Sequence, residues 1–192
     1  VRARDLDGNA SVAPTITVDA VPTIRELLMP EEAGNAFPTA INERGDVTGY
    51  WAEMEVPTWH AFVHRDGETQ GLVANDWRSA ATDINEHGRI VGYVHWSTDP
   101  EVERAVSWEG STITSLFAQR GLATSTNDAG IVCGGMVEGE GPPRGFVLAG
   151  SQLTIFGEPG RWTVGVDVNA AGHVAGSSQS TAGDMFGFVI TP

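Results

Sequence analysis

Tryptophan, histidine and carboxylate side chains concentrate in a few short segments of this chain. Trp51 and Trp59 flank Glu53 and Glu55, Trp77 precedes Arg78, Trp96 follows His95, and Trp162 follows Arg161. Indole faces suit sugars, cations and planar organic molecules, and a few polar groups then fix the orientation of what binds. A histidine beside a carboxylate can pass a proton, so His60 or His95, with Asp83 or Glu53, are the candidates for acid–base chemistry. Arg104 and Arg144 occupy the same place in the sequence pattern as His60, with Phe186 as the fourth, and together they would offer donors to an anionic group. The ligand-binding set read from sequence is Trp51, Trp59, Trp77, Arg78, Trp96, Arg104, Arg144 and Trp162. For each tryptophan the competing role is packing between neighbouring structural units.

What positions these residues is a repeat. Residues 83–93 read Asp-Ile-Asn-Glu-His-Gly-Arg-Ile-Val-Gly-Tyr, and the phrase returns in varied form around Asn42, Asn127 and Asn169, at intervals of 43, 42 and 42 residues from one asparagine to the next. A period near 40 with several strands per unit marks a repeat architecture. Each unit offers four strand candidates, except that the last ends at Pro192 before its fourth. Thr15-Ile16-Thr17-Val18 matches the fourth-strand pattern of Thr112-Ile113-Thr114-Ser115 and Gln152-Leu153-Thr154-Ile155. These facts predict an all-β, four-bladed β-propeller, four antiparallel strands per blade, closed by the N-terminal strand joining the last blade. The expected layout is a tail over 1–13 and one domain over 14–192, with repeats around 38–74, 81–117, 123–157 and 165–192 plus 15–18. Thr23 and Glu26 have capping-box spacing, which predicts a turn or two of helix over 22–28. Asp5-Leu6-Asp7-Gly8-Asn9 resembles the start of a calcium loop, but Ile16 stands where such a loop needs a glutamate.

Much of the recurrence has a structural explanation. An asparagine three residues before a glycine is turn chemistry: the side chain bonds backbone two residues on, and glycine takes positive φ. Gly49, Gly92, Gly134 and Gly176 fall within the second strand, where glycine marks a bulge or a close backbone approach. Cys133 occupies the position of Thr48, Val91 and Ala175 and reads as a small core residue. Two residues before each asparagine stand Ala40, Asp83, Ser125 and Asp167, on the strand expected to line the central channel. Asp83 and Asp167 would belong to opposite blades, where two carboxylates share a proton, bind water or hold a structural cation; ordinary hydrogen bonding to backbone is the alternative. No further cofactor is required by any motif.

The phrase Asn-x-x-Gly-x-Val/Ile-x-Gly, followed by His60-Ala61-Phe62 or its variants, resembles the HAF-repeat family of probable extracellular proteins. The resemblance covers 15–192, although His-Ala-Phe itself survives only once, the other copies reading Arg104-Ala105-Val106, Arg144-Gly145-Phe146 and Phe186-Gly187-Phe188. It implies a repeat fold and an extracellular or cell-surface location, and it carries no catalytic residues to transfer.

With 11 basic and 25 acidic residues the net charge is −14, which repels nucleic-acid phosphates and anionic membranes. No apolar run approaches the length of a membrane helix, and the single cysteine allows no intrachain disulfide. There is no His-Glu-x-x-His, no Gly-x-Ser-x-Gly, no phosphate loop and no dinucleotide fingerprint. The expectation is a monomeric, secreted module that binds a small molecule or carbohydrate on the face carrying the longer loops. A cofactor-independent lyase, hydrolase or cyclase using the same pocket is the alternative, and a passive assembly module is the third reading.

Overall fold

A computed structural model describes residues 24–53, 58–72, 78–95 and 102–192. They form antiparallel sheets whose strands follow one another in chain order. Sheet 1 holds β1 (Ala33–Ile41), β2 (Val47–Glu53), β3 (Trp59–Arg65) and β4 (Glu68–Gly71). Sheet 2 holds β5 (Ser79–Ile84), β6 (Ile90–His95), β7 (Glu103–Glu109) and β8 (Thr112–Ser115). Sheet 3 holds β9 (Arg120–Thr126), β10 (Val132–Val137), β11 (Arg144–Ala149) and β12 (Gln152–Phe156). Sheet 4 has three strands among the described residues, β13 (Thr163–Val168), β14 (Val174–Gln179) and β15 (Met185–Ile190).

The asparagine phrase builds the turn between the first two strands of each sheet. In sheet 2, Asn85 Oδ1 accepts the N–H groups of His87 at 3.0 Å and Arg89 at 2.9 Å. Gly88 then adopts φ 81°, open to glycine without steric cost. The same side chain also reaches outward: its Nδ2 donates to the Asn127 carbonyl at 3.0 Å, in the next sheet. Asn42 donates likewise to the Asn85 carbonyl at 3.3 Å, and Asn127 to the Asn169 carbonyl at 2.9 Å. A second ladder runs beside the first. The hydroxyls of Thr39, Thr82 and Thr124 donate to the carbonyls of Ala81, Ala123 and Gly165, at 2.9, 2.9 and 2.7 Å.

Between the sheets lie three apolar clusters. Ala61 and Val63 of sheet 1 meet Ala81, Ile84, Val106 and Trp108 of sheet 2; Val91 and Ala105 meet Val132, Met136 and Phe146 of sheet 3; Cys133 meets Val168 and Val174 of sheet 4. Glycine in the second strand is set by close approach. A Cβ on Gly92 would run into the Ala80 carbonyl oxygen, and one on Gly134 into that of Leu122, next to the places where the first strand slips register against the second.

Two boundaries differ from expectation. The described part of the predicted helix, 24–28, is not helical. Ile24 and Leu28 are exposed, so no apolar face is buried to stabilise a helix that short. β1 begins at Ala33, five residues inside a segment read from sequence as a connection before residue 38. Its sequence hides the strand: it is exposed on both sides, lacks alternation, and contains Pro38 beside a register shift. The tail over 1–13 and the strand expected at 15–18 lie outside the described residues.

Replacing Asn85 by alanine removes two turn bonds and one inter-sheet bond from a buried side chain, a loss of about 3 kcal/mol at roughly 1 kcal/mol per bond. Asn169→Ala removes the turn bonds alone among the described residues and costs about 1 kcal/mol less. Thermal melts of the two variants check the order.

Candidate functional site

The end of sheet 1 opposite the asparagine turns carries the densest group of chemically capable side chains. β2 and β3 pair Trp51 with His60, and the Glu53 N–H donates to the Thr58 carbonyl at 3.1 Å. Side chains two apart on a strand share a face, so Trp51, Glu53, Thr58 and His60 form one patch. Within it His60 Nε2 lies 2.8 Å from Glu53 Oε1. Their side chains are 10% and 28% exposed, so the histidine is shielded while the carboxylate still meets solvent. Trp51 is buried against His60 and Phe62, with ring centroids 5.6 and 6.1 Å apart. Trp51 Nε1 and Thr58 Oγ1 are both buried with no hydrogen-bond partner among the described residues. An unmet buried polar group costs about 1–3 kcal/mol, and among the described residues these two atoms beside the acid–base pair find no partner.

Alongside, the Arg78 guanidinium sits over the Trp59 ring, 5.2 Å from its centroid. Phe37 stacks on Tyr50 at 5.1 Å. In sheet 2, His95 Nε2 lies 3.5 Å from Glu103 Oε1, with Tyr93 edge-on to the imidazole. Burial, with Glu103 nearby, pushes the Tyr93 hydroxyl above the usual phenol range, so it stays protonated.

Other residues singled out in the sequence are placed differently. Asp83 is bonded to Ser125, Thr126 and Ile84, and among the described residues the histidine–carboxylate contacts are His60 with Glu53 and His95 with Glu103. Arg104 Nη1 donates to the Ala118 carbonyl, and Arg144 Nε donates to the Gly157 carbonyl at 3.2 Å. These arginines hold the loop that leaves their own sheet. Trp162 is half-buried and its carbonyl accepts the Gln179 N–H at 2.9 Å. Trp77 and Trp96 lie outside the described residues. Sequence reasoning missed Thr58 and the role of Trp51 as a buried donor; the signal available was their position on either side of one hairpin loop.

Among the first strands of sheets 2, 3 and 4 the Ser125 hydroxyl is 2.8 Å from both Asp83 Oδ2 and Asp167 Oδ1. A hydroxyl has one hydrogen to donate. If both contacts are hydrogen bonds, a carboxyl supplies the second proton. Burial holds the Asp83 carboxyl above its ordinary range, against the N–H of Thr126, the Ser125 hydroxyl and the N–H of Ile84, which draw it back. Among the described residues no group of three or more His, Cys, Asp or Glu side chains is arranged to hold a metal ion. Cys133 is fully buried, and burial pushes its thiol up to about 11, which suits packing and not nucleophilic chemistry.

No protein-family model and no curated protein matches the chain. Among solved structures it is similar to the β-propeller domain of the Trilobed protease from Pyrococcus furiosus, described as having an open velcro topology. The TM-score is 0.55 at 16% identity, over 75% of this chain. The fold is that of a β-propeller. The chain spans about half of its neighbour, 48%, and at this identity the likeness speaks to the fold alone.

A raised Asp83 pKa stabilises the fold below the ordinary value of 3.8, and that contribution is lost as pH rises through the folded value. Asp83→Asn keeps the site uncharged, so its stability relative to the parent chain should improve as pH rises from 3.8 through the folded value and level off above it, in denaturant titrations. Native Cys133 should resist a thiol reagent that labels it at once in denaturant.

Proposed function

We propose that this chain is an extracellular binding module. It takes a small neutral molecule or carbohydrate at the loop-bearing end of the first two blades. The reading rests on one observation, the Glu53–His60 pair flanked by Trp51 Nε1 and Thr58 Oγ1, which have no partner among the described residues. A hydroxyl-rich ligand offers acceptors to the indole N–H and donors to the carboxylate. Trp59 under Arg78 supplies an aromatic wall next to the patch. The net charge of −14 disfavours anionic ligands. The repeat phrase supports membership of the HAF-repeat family, from which the extracellular location is taken, and we propose that the chain acts as a monomer.

The finer architecture belongs to the same reading: four blades in a closed ring, with the N-terminal segment supplying the last strand. At the axis, Asp83 and Asp167 would share a proton through Ser125. Two carboxylates and one hydroxyl form a small ligand set for calcium, which takes six to eight oxygens. Chelator treatment should therefore leave the melting temperature unchanged, and a drop on metal removal would replace the proton with a cation.

A second reading is favoured by the same contact. A histidine held at 2.8 Å by a carboxylate is an acid–base pair, and a cofactor-independent lyase, hydrolase or cyclase would use it. Titration of a saccharide panel against tryptophan fluorescence decides the matter. Binding should weaken about fivefold in Glu53→Gln, at roughly 1 kcal/mol for one hydrogen bond to the ligand. If a panel member is consumed, and His60→Asn stops its consumption while leaving its affinity within a few-fold, the enzyme reading replaces the binding one. No binding and no turnover across the panel overturns both for this ligand class.

A further inference from the structure

A cavity of about 300 Å³ opens at the outer edge of sheet 4, lined by Phe156, Ser178, Phe188, Val189 and Ile190 among others. It is the most apolar hollow described on the molecule, and a ligand search would begin there. Comparison with sheets 2 and 3 assigns it differently. The register is shared: Ile90 pairs with Trp108, Val132 with Leu148 and Val174 with Ile190, so Trp108, Leu148 and Ile190 are equivalent. In sheet 2 the fourth strand then sets Ile113 opposite Trp108 and Ser115 opposite Val106. In sheet 3 it sets Leu153 opposite Leu148 and Ile155 opposite Phe146. Ile113 packs into the core against Trp108, and Ile155 into the core beside Phe146. The equivalent place in sheet 4, beside Phe188 and Ile190, is this cavity. Along the same strand Met185, Phe186 and Val189 are exposed.

We infer that the cavity and the outer edge of β15 are the seat of a β-strand formed by residues 15–18 of the same chain, antiparallel, with Ile16 opposite Ile190, Thr17 opposite Val189 and Val18 opposite Phe188. Alternation carries the assignment: Ile16 and Val18 fall on the cavity side, and Thr17 falls where Thr114 and Thr154 stand opposite Ser107 and Val147. The described chain begins at Ile24, so residues 19–23 make the connection, and the six steps from 18 to 24 at about 3.3 Å each span up to roughly 20 Å. The inference deepens the closed-ring reading and rests on it, and it removes the hollow from the places where a small molecule would bind.

The test uses the full chain. Thr17→Cys with Val189→Cys should oxidise to an intramolecular disulfide, whereas Val18→Cys with Val189→Cys, one residue out of register, should not. In a separate chain, Glu43→Cys with Ala170→Cys, joined by a short bismaleimide, reports whether sheet 4 meets sheet 1. A closed sheet 4–sheet 1 link without the strand disulfide overturns the seat and leaves the ring standing. Failure of both pairs overturns both, and a disulfide between two molecules assigns the seat to a second copy and overturns the inference. Should the cysteine variants misfold, amide hydrogen exchange on the unaltered chain decides: slow exchange over 15–18 upholds the strand, and exchange at the rate of unstructured chain overturns it.

Discussion

The amides of Asn42, Asn85 and Asn127 each satisfy two demands at once. The oxygen closes the turn between the first and second strands of its own sheet, and the nitrogen reaches the equivalent carbonyl one sheet on. Because the carbonyl reached belongs to another asparagine whose own turn is fixed the same way, the geometry of one turn sets the position of the next. The threonine hydroxyls beside them repeat the arrangement one step further along the inner strand. Apolar packing supplies area, and these bonds supply the spacing at which that area meets.

This division of labour separates the two ends of the sheets. At the asparagine end the amide side chains of Asn42, Asn85 and Asn127 serve both a turn and a neighbouring sheet. At the other end the strands carry longer connections, and the side chains differ from sheet to sheet. His60, Arg104, Arg144 and Phe186 occupy one structural position and do different things: His60 and Arg144 each contact a carboxylate, both arginines tie a loop carbonyl, and Phe186 is an exposed apolar ring. The candidate site lies where the repeat stops constraining residue choice.

The repeat made the sheet architecture legible, because a turn phrase recurring every 42 or 43 residues leaves few arrangements open. It also disclosed the glycine positions, although the reason, a carbonyl from the first strand pressing on the second, is three-dimensional. β1 was legible only in part, since its register shift and Pro38 erase the alternation on which strand reading depends. The site was less legible still. Pairing His60 with Asp83 is as natural from sequence as pairing it with Glu53, because a linear chain does not say that Asp83 is turned toward Ser125. The second function of the asparagines also lay hidden: turn chemistry explains them fully, and nothing local discloses a partner 42 residues away.

The threonine ladder has a direction. Thr39, Thr82 and Thr124 each give a hydrogen to the sheet that follows, and the next residue in the series is Val166, which has none to give and is exposed. The ladder is thus vectorial, and its fourth position breaks the series of donors. A sheet set beside sheet 4 would find no hydroxyl extended to it from this series.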